Sequence, residues 1–433
     1  MSAKETKVSP PYWTRFAPYL GRPPPLTDRQ WRVMGLIAIA ICFDQYDMAL
    51  LSMALKQIQA DLGIGEAELG SIGAFVRLGA LPSFLIVMAA DLVGRRRIMI
   101  LTIVGYTLLT GLTALAPDTR SFMLLQFFAR TFAIAEVILA YVVISEEFDA
   151  AHRGWGVGAL AALGACGHGL ALLLFSLVDV VPFGWRSLYL VGLVPLIWVA
   201  WMRRTLPETS RFEAVSTERL DTWWRNAMKP GIGLIRDYPA RFVAISAVIF
   251  LLSFAEYSGG FFGPKYLQEA HGWQPWQYSV LGFSGGFLAI FGSAWAGRVS
   301  DRRGRRITAV IFLLLHPLLV VAFYQGSGVW LAPFWVLMVF TGIGSAVVLA
   351  TYGNELFPTS YRSTASGARS VVATLGGVLG LATESILYGV FGSHWTAISI
   401  LVLLAFLAPV IVYFVFPETS GRHLEEISPE SGT

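Results

Sequence analysis

From about residue 31 to residue 416 the chain alternates long apolar runs with short polar connections. Runs of about 18 or more apolar residues recur along the whole length, each enough at about 1.5 Å per residue to cross a hydrocarbon core about 30 Å thick. The pattern predicts helices at 31–55, 69–91, 98–117, 121–146, 154–179, 186–204, 240–264, 276–299, 306–325, 329–355, 364–390 and 395–416. The expected fold is an all-α membrane protein with twelve transmembrane helices. The expected parts are a tail over 1–30, a six-helix bundle over 31–206, a linker over 207–239, a second six-helix bundle over 240–416 and a tail over 417–433.

Composition supports this reading and narrows it. The 433 residues are 55% hydrophobic and 14% charged, where a soluble domain carries about 25% charged residues. The formal charge of +4 needs no nucleic-acid partner, because the basic residues sort by side. Arg95 to Arg97, Arg153, the 203–241 segment, Arg302 to Arg306, Arg362 and Arg422 fall on one side, while the opposite loops hold little beyond Lys56, Arg120, Arg186 and Lys265. The positive-inside rule makes the first side cytoplasmic, and an even number of crossings puts both termini there, in a bacterial inner membrane. Residues 1–32 lack the apolar core of a signal peptide and read as a cytoplasmic tail. The linker, with Trp223 and Trp224 in a charged context, reads as a helix lying on the membrane surface. The 43 glycines suit helices that approach closely. Cys42 and Cys166 each sit in an apolar run, so neither a disulfide framework nor a metal site is expected.

An internal repeat organises the whole chain. Asp91-Leu-Val-Gly94-Arg95-Arg96 recurs 210 residues later as Asp301-Arg-Arg-Gly304-Arg305-Arg306. Glu146, seven residues before Arg153, recurs as Glu355, seven before Arg362, and Pro207-Glu208-Thr209-Ser210 recurs verbatim as Pro417-Glu418-Thr419-Ser420. Three spaced matches at nearly one offset, each at the same side of the membrane, indicate a duplicated six-helix unit. Two pseudo-symmetric six-helix bundles are the architecture of alternating access.

These motifs resemble those of the major facilitator superfamily. Gly297-Arg-Val-Ser-Asp301-Arg302-Arg-Gly304-Arg305-Arg306 is similar to the family's loop signature; the first copy departs from it, with Val87 for the leading Gly and Leu92 for a basic residue. The resemblance implies a cytoplasmic latch made of Asp91, Gly94, Arg95, Glu146 and Arg153 in the first half, and of Asp301, Gly304, Arg305, Glu355 and Arg362 in the second. The departures imply a weaker latch in the first half. Glu355-Leu-Phe-Pro358-Thr359-Ser-Tyr-Arg362 and the two Pro-Glu-Thr-Ser segments resemble the sugar-porter branch.

Ionisable groups inside a membrane are costly, about 2.5–3.5 kcal/mol each on insertion scales, and are functional candidates by default. Asp44 and Asp47 lie three residues apart in Phe43-Asp44-Gln45-Tyr46-Asp47, on one face of the first helix. They must face a wet cavity, pair with a cation or hold protons. The Asp-x-x-Asp pattern resembles the first helix of proton-coupled aromatic-acid symporters, which makes Asp44 and Asp47 the proton-coupling candidates. Arg130, at similar depth on the fourth helix, is the expected counter-ion, and Glu136 a second proton site or part of the same network. Arg77 either lines the substrate site or snorkels towards the outer surface. Glu256 lies mid-helix in the second half, Lys265 near its outer end, and Arg369 follows Arg362 into the eleventh helix. Glu384, His168 and His316 are isolated in the sequence.

A sugar site needs amide side chains, and the two Asn, Asn226 and Asn354, fall away from mid-membrane. Aromatic residues are the candidate walls instead. With the charged candidates, the substrate-binding set is Tyr46, Arg77, Tyr141, Glu256, Tyr257, Phe261, Tyr352 and Arg369, a set suited to an organic acid. No Walker loop is present. Gly282-Phe-Ser284-Gly-Gly286 fits a nucleophile-elbow pattern but lies in an apolar helix without strand context, so no enzyme is expected. The expectation is a proton-coupled symporter of a small organic anion, working as a monomer in the lipid bilayer, with protons and the substrate as partners and no cofactor. A proton-driven exporter, a sugar, polyol or phosphate symporter, and a ligand sensor that does not transport remain open.

Overall fold

The computed structural model describes Pro11, residues 23–149, 151–203, Lys229, 231–422 and 424–428, without the side chains of Asp91, Leu92, Ala294, Leu424 and Glu425. Among these residues the crossing helices are α1 Asp28–Met53, α2 Glu66–Ala90, α3 Arg95–Thr113, α4 Thr119–Glu147, α5 Arg153–Phe175, α6 Trp185–Met202, α7 Pro239–Ala270, α8 Pro275–Arg303, α9 Arg305–Gln325, α10 Gly328–Glu355, α11 Thr359–Phe391 and α12 His394–Val415. Eleven of them are long and apolar enough to cross a membrane. The twelfth, α3, is 19 residues long and less apolar, because it opens on three arginines and buries Thr102, Thr107, Thr110 and Thr113.

Local chemistry sets several helix ends apart from the sequence expectation. Helix α1 starts at Asp28 rather than residue 31 because Thr27 and Gln30 form a capping box: the Gln30 N–H donates to Thr27 Oγ1 at 3.3 Å and the Thr27 N–H to Gln30 Oε1 at 3.0 Å. The second apolar run is not one straight helix. It breaks between Leu78 and Ser83, where Pro82 lacks an N–H. Freed carbonyls are taken up by side chains, Gly79 O by the Thr131 hydroxyl at 2.7 Å and Ala80 O by Ser83 at 2.6 Å. Helix α7 runs past residue 264 to Ala270, burying Lys265, Tyr266, Leu267 and Gln268. Most of the linker, including Trp223 and Trp224, lies outside the described residues, as does Glu208; α7 begins at Pro239.

Packing divides the chain into two compact units. The first contains Met1–Leu62 and Gly79–Thr217, the second Gly63–Leu78 and Glu218–Thr433. The break in α2 thus coincides with the boundary, and residues 63–78 pack with the helices of the second half. In the first unit Met34, Ile37 and Ile41 of α1 meet Leu139 and Ile144 of α4 and Leu160 of α5. In the second, Ile245 and Val248 of α7 pack with Phe312 of α9, Val348 of α10 and Val412 of α12.

Large apolar side chains such as Leu85, Phe287 and Ile386 stay more than half exposed, as lipid-facing residues do. Lipid tails are as apolar as leucine, so helix association depends on close fit and small residues. A Cβ on Gly167 of α5 would fall 1.7 Å from the Cys42 carbonyl oxygen of α1, and one on Gly380 of α11 would fall 2.2 Å from that of Phe254 on α7. The first and fifth helices of each repeat therefore touch backbone to backbone in the same manner.

Candidate functional site

Three groups of polar residues stand out, and the first lies at the arginine-rich helix ends. Gly94 (φ 110°) and Gly304 (φ 106°) turn the chain between α2 and α3 and between α8 and α9 in a conformation that side chains disfavour. In the first unit Arg95 pairs with Glu146 at 2.8 Å, and Arg29 with Glu147 at 2.9 Å. In the second, Arg305 bridges Asp301 at 2.6 Å and Glu355 at 2.8 Å. Sequence reasoning left Glu418 out of this set. Its carboxylate accepts the backbone N–H of Arg305 at 2.7 Å, of Arg306 at 3.1 Å, of Thr419 at 3.0 Å and of Ser420 at 2.9 Å. It thereby caps the N-terminus of α9 against the helix dipole. Thr419 donates to Glu355 at 2.6 Å, and Arg362 donates to Phe357 O at 3.3 Å. Gly94 and Arg153 sit at the corresponding first-unit ends, and the Asp91 side chain lies outside the described residues.

Burial raises the Glu418 carboxyl, but the backbone N–H bonds outweigh it and hold the group below the ordinary glutamate value. The stability this confers is present above the unfolded value and is lost as pH falls through the folded one. Glu418→Gln is expected to lower the thermal midpoint at pH 7, with the deficit shrinking as pH drops below about 4.3. Unfolding scans at several pH values check this; a deficit of equal size at pH 7 and well below 4 contradicts it.

The second group belongs to the first unit. Asp44 and Asp47 are 1% and 8% exposed. Asp44 accepts one amide N–H from Gln45 at 3.3 Å, and Asp47 accepts the Thr110 hydroxyl at 3.0 Å. The second oxygen of each carboxyl is buried without a hydrogen-bond partner. The charge of Arg130 on α4 reaches both carboxyls. Tyr106 of α3 donates to Phe43 O at 3.1 Å beside them. Glu136, whose charge also reaches Asp44, pairs with Arg203 at the end of α6, both fully buried, and accepts Thr102 of α3 at 2.6 Å. By sequence Arg203 opens the cytoplasmic basic segment 203–241. Its role in the bundle core could not be seen from spacing.

The third group belongs to the second unit. The Arg77 guanidinium carbon lies 3.1 Å above the centre of the Tyr257 ring, and its Nε is buried without a hydrogen-bond partner. Gly377 of α11 makes room, since a Cβ there would fall 2.4 Å from that Nε. Glu256, next to Tyr257, feels the Arg77 charge, and Phe261 lies one turn on, against Gly73 of α2. The Arg77 head group is thus turned onto α7 and α11 within the second unit.

The residues agree with a broader similarity. A family model described as Major Facilitator Superfamily matches residues 37–380 and, in a second alignment, 288–431. The chain belongs to the major facilitator superfamily. It is 28% identical over 364 residues to the cis,cis-muconate transport protein of Acinetobacter baylyi, covering 82% of this chain and 86% of that protein. It is 24% identical over 436 residues to the niacin transporter NiaP of the same organism, covering 93% and 97%. Among solved structures, the xylose transporter XylE from E. coli in an inward-open conformation superposes with a TM-score of 0.72 at 16% identity, over 92% of this chain and 99% of that one. Such a likeness shows the fold, twelve helices in two six-helix bundles.

As a major facilitator protein the chain is an integral membrane transporter of small molecules and no enzyme. Not every residue picked for the substrate wall stands on one. Tyr46 is buried between α1 and α6, its hydroxyl bonded to Leu188 O at 2.7 Å. Tyr352 is fully buried at the arginine-rich end and donates to Pro417 O at 3.1 Å. Tyr141 packs against the first unit's core. Arg369 bonds to the Leu349 and Ala350 carbonyls and to Asn354 and Ser366 at 3.2–3.3 Å, while its Nε is buried without a hydrogen-bond partner. Aromatic residues fill tight helix contacts as readily as cavity walls, and sequence spacing does not separate the two uses. Lys265, near the outer end of α7, is buried and paired with Glu66 at 3.1 Å and with Glu269.

Proposed function

We propose that this transporter carries a small organic carboxylate, aromatic or otherwise conjugated, together with protons. The observation that carries the reading is Arg77, a cation stacked on Tyr257 with an unpartnered buried N–H and with Phe261 close by. A guanidinium can bind a carboxylate in two parallel hydrogen bonds, and the aromatic rings supply a flat apolar surface for the rest of the ligand. The names of the relatives point the same way: muconate is a conjugated dicarboxylate and niacin an aromatic monocarboxylate. Asp44 and Asp47 support the proton half. Buried carboxyls with so few donors are poorly served as anions, and Arg130 is the cation that answers when they ionise. Loading a proton on this pair and a carboxylate on Arg77 gives alternating access two coupled cargoes. The protein would work as a monomer in a bacterial inner membrane with both termini cytoplasmic, its arginine-rich ends acting as the gate.

Uptake of labelled muconate and nicotinate into proteoliposomes, with and without an imposed pH gradient, tests this. Arg77→Gln removes the charge-assisted contact, which is worth about 1.5–3 kcal/mol, so KM for the transported acid is expected to rise roughly 10–100-fold. Arg77→Lys keeps the charge but loses the fork and should fall between. An unchanged KM in Arg77→Gln, or transport of neutral sugars in preference to carboxylates, would sink the assignment.

A further inference from the structure

One polar cluster has no part in the proposed transport cycle. It lies on the second unit, near the ends of α11 and α7 remote from the arginine-rich loops. Gly392 (φ 64°) ends α11, and Ser393 caps α12 by accepting the Thr396 N–H at 3.4 Å. This tight hairpin swings His394 back onto α11. The imidazole is sandwiched between Tyr388 at 4.2 Å and Phe262 at 4.6 Å, both nearly parallel to it. With its plane fixed, both nitrogens meet carboxylates: Nδ1 lies 2.6 Å from Glu384 Oε1, and Nε2 lies 3.0 Å from Glu66 Oε2.

We propose that Glu66, His394 and Glu384 form a proton-holding latch, separate from the Asp44 and Asp47 pair, which fastens residues 63–78 to α11 and α12. Each short N···O contact needs a hydrogen between its atoms, and a neutral imidazole carries only one N–H. The second hydrogen must come from a further proton, either on the ring or on one carboxyl. When that proton leaves to solvent, a ring lone pair faces a carboxylate lone pair at contact distance, and the bridge is repulsive.

Glu384 is 0% exposed and His394 is 4% exposed. Glu384 Oε2 has no hydrogen-bond partner and abuts Gly70 of α2, whose Cβ would fall 2.4 Å away. Among the described residues, Lys265 of α7, 3.1 Å from Glu66 Oε1, and Glu269, which pairs with Lys265, also face the cluster. Tyr324 of α9 lies within electrostatic reach of Glu384. Beside the triad, Ser71 and Ser385 meet at 2.8 Å, and Ser385 donates to Ala67 O. Residues 63–78 therefore rest on α11 through a polar seam whose centre is the proton-dependent bridge. The latch closes when protonated and loosens when it loses its proton.

Hydrogen–deuterium exchange of the purified full-length protein in lipid nanodiscs tests this, with protection factors corrected for intrinsic rates so that pH values can be compared. In the wild type, protection over residues 63–78 is expected to fall at least tenfold between pH 5.5 and 8.5, while residues 153–175 hold theirs. Glu384→Gln can donate its amide N–H to Nδ1, so a neutral imidazole suffices and protection should persist at pH 8.5. His394→Phe keeps the aromatic stack but not the bridge, and protection should be low at both pH values. Asp44→Asn/Asp47→Asn should keep the wild-type profile, which separates this latch from proton coupling. A flat wild-type profile, a wild-type profile in both Glu384→Gln and His394→Phe, or loss of the profile in the aspartate variant would overturn the proposal.

Discussion

Replacing both Asp44 and Asp47 with asparagine is expected to abolish pH-driven accumulation while leaving substrate exchange in place. The two carboxyls are buried on one face of α1, each with one oxygen lacking a partner. Asparagine is close in shape to a protonated aspartate but cannot release the proton. One proton moved with each substrate charge lets a gradient of one pH unit, worth about 1.36 kcal/mol, support about tenfold accumulation. A two-unit gradient should therefore concentrate the acid about 100-fold in the wild type and hardly at all in the variant. Counterflow, which needs no net proton movement, should persist in the variant and shows that the protein is folded and binds its cargo. The single variants Asp44→Asn and Asp47→Asn divide the effect between the two carboxyls. Unchanged gradient-driven accumulation in both singles and the double would refute the proton role outright.

The second large effect is expected at Glu136 and Arg203, in stability rather than coupling. This ion pair is completely buried, joins α4 to α6 and is extended by Thr102 of α3. Removing one member strands the other charge among apolar helices, at a cost of about 3–5 kcal/mol. Arg203→Met and Glu136→Gln should each lower the thermal midpoint in detergent by many degrees. The combination Glu136→Gln/Arg203→Met should recover most of the loss, because no lone charge remains. If Glu136 were instead a proton carrier, Glu136→Gln would keep its stability and lose only the response to a pH gradient. Midpoints and uptake measured on the same three variants distinguish the two roles.

These two sites differ in how far the amino-acid sequence announced them. Asp44 and Asp47 were visible because carboxyls three residues apart in a long apolar run have few other uses. Arg305 and Glu355 were visible because the repeat places them at matching helix ends. Glu136 was singled out as well, but its partner was not. The same is true of Glu384, isolated in the sequence and bonded in the fold to His394, while Glu66 and His394 gave no signal at all. Tyr46 and Tyr352 show the reverse case, conspicuous aromatics that the fold uses for packing.

The sequence by itself determined the membrane class, the number of crossings and the duplication. Apolar length and spaced repeats are properties of the chain taken one stretch at a time, and the bilayer thickness converts length into topology. Only the tertiary structure decided which buried charge meets which. Glu136 and Arg203 are 67 positions apart and Glu66 and His394 are 328 apart. Their meeting depends on helix rotation and on which helices adjoin, set by glycine contacts such as Gly167 on Cys42 and by the break at Pro82. An apolar run reads the same whichever way its one charged residue turns.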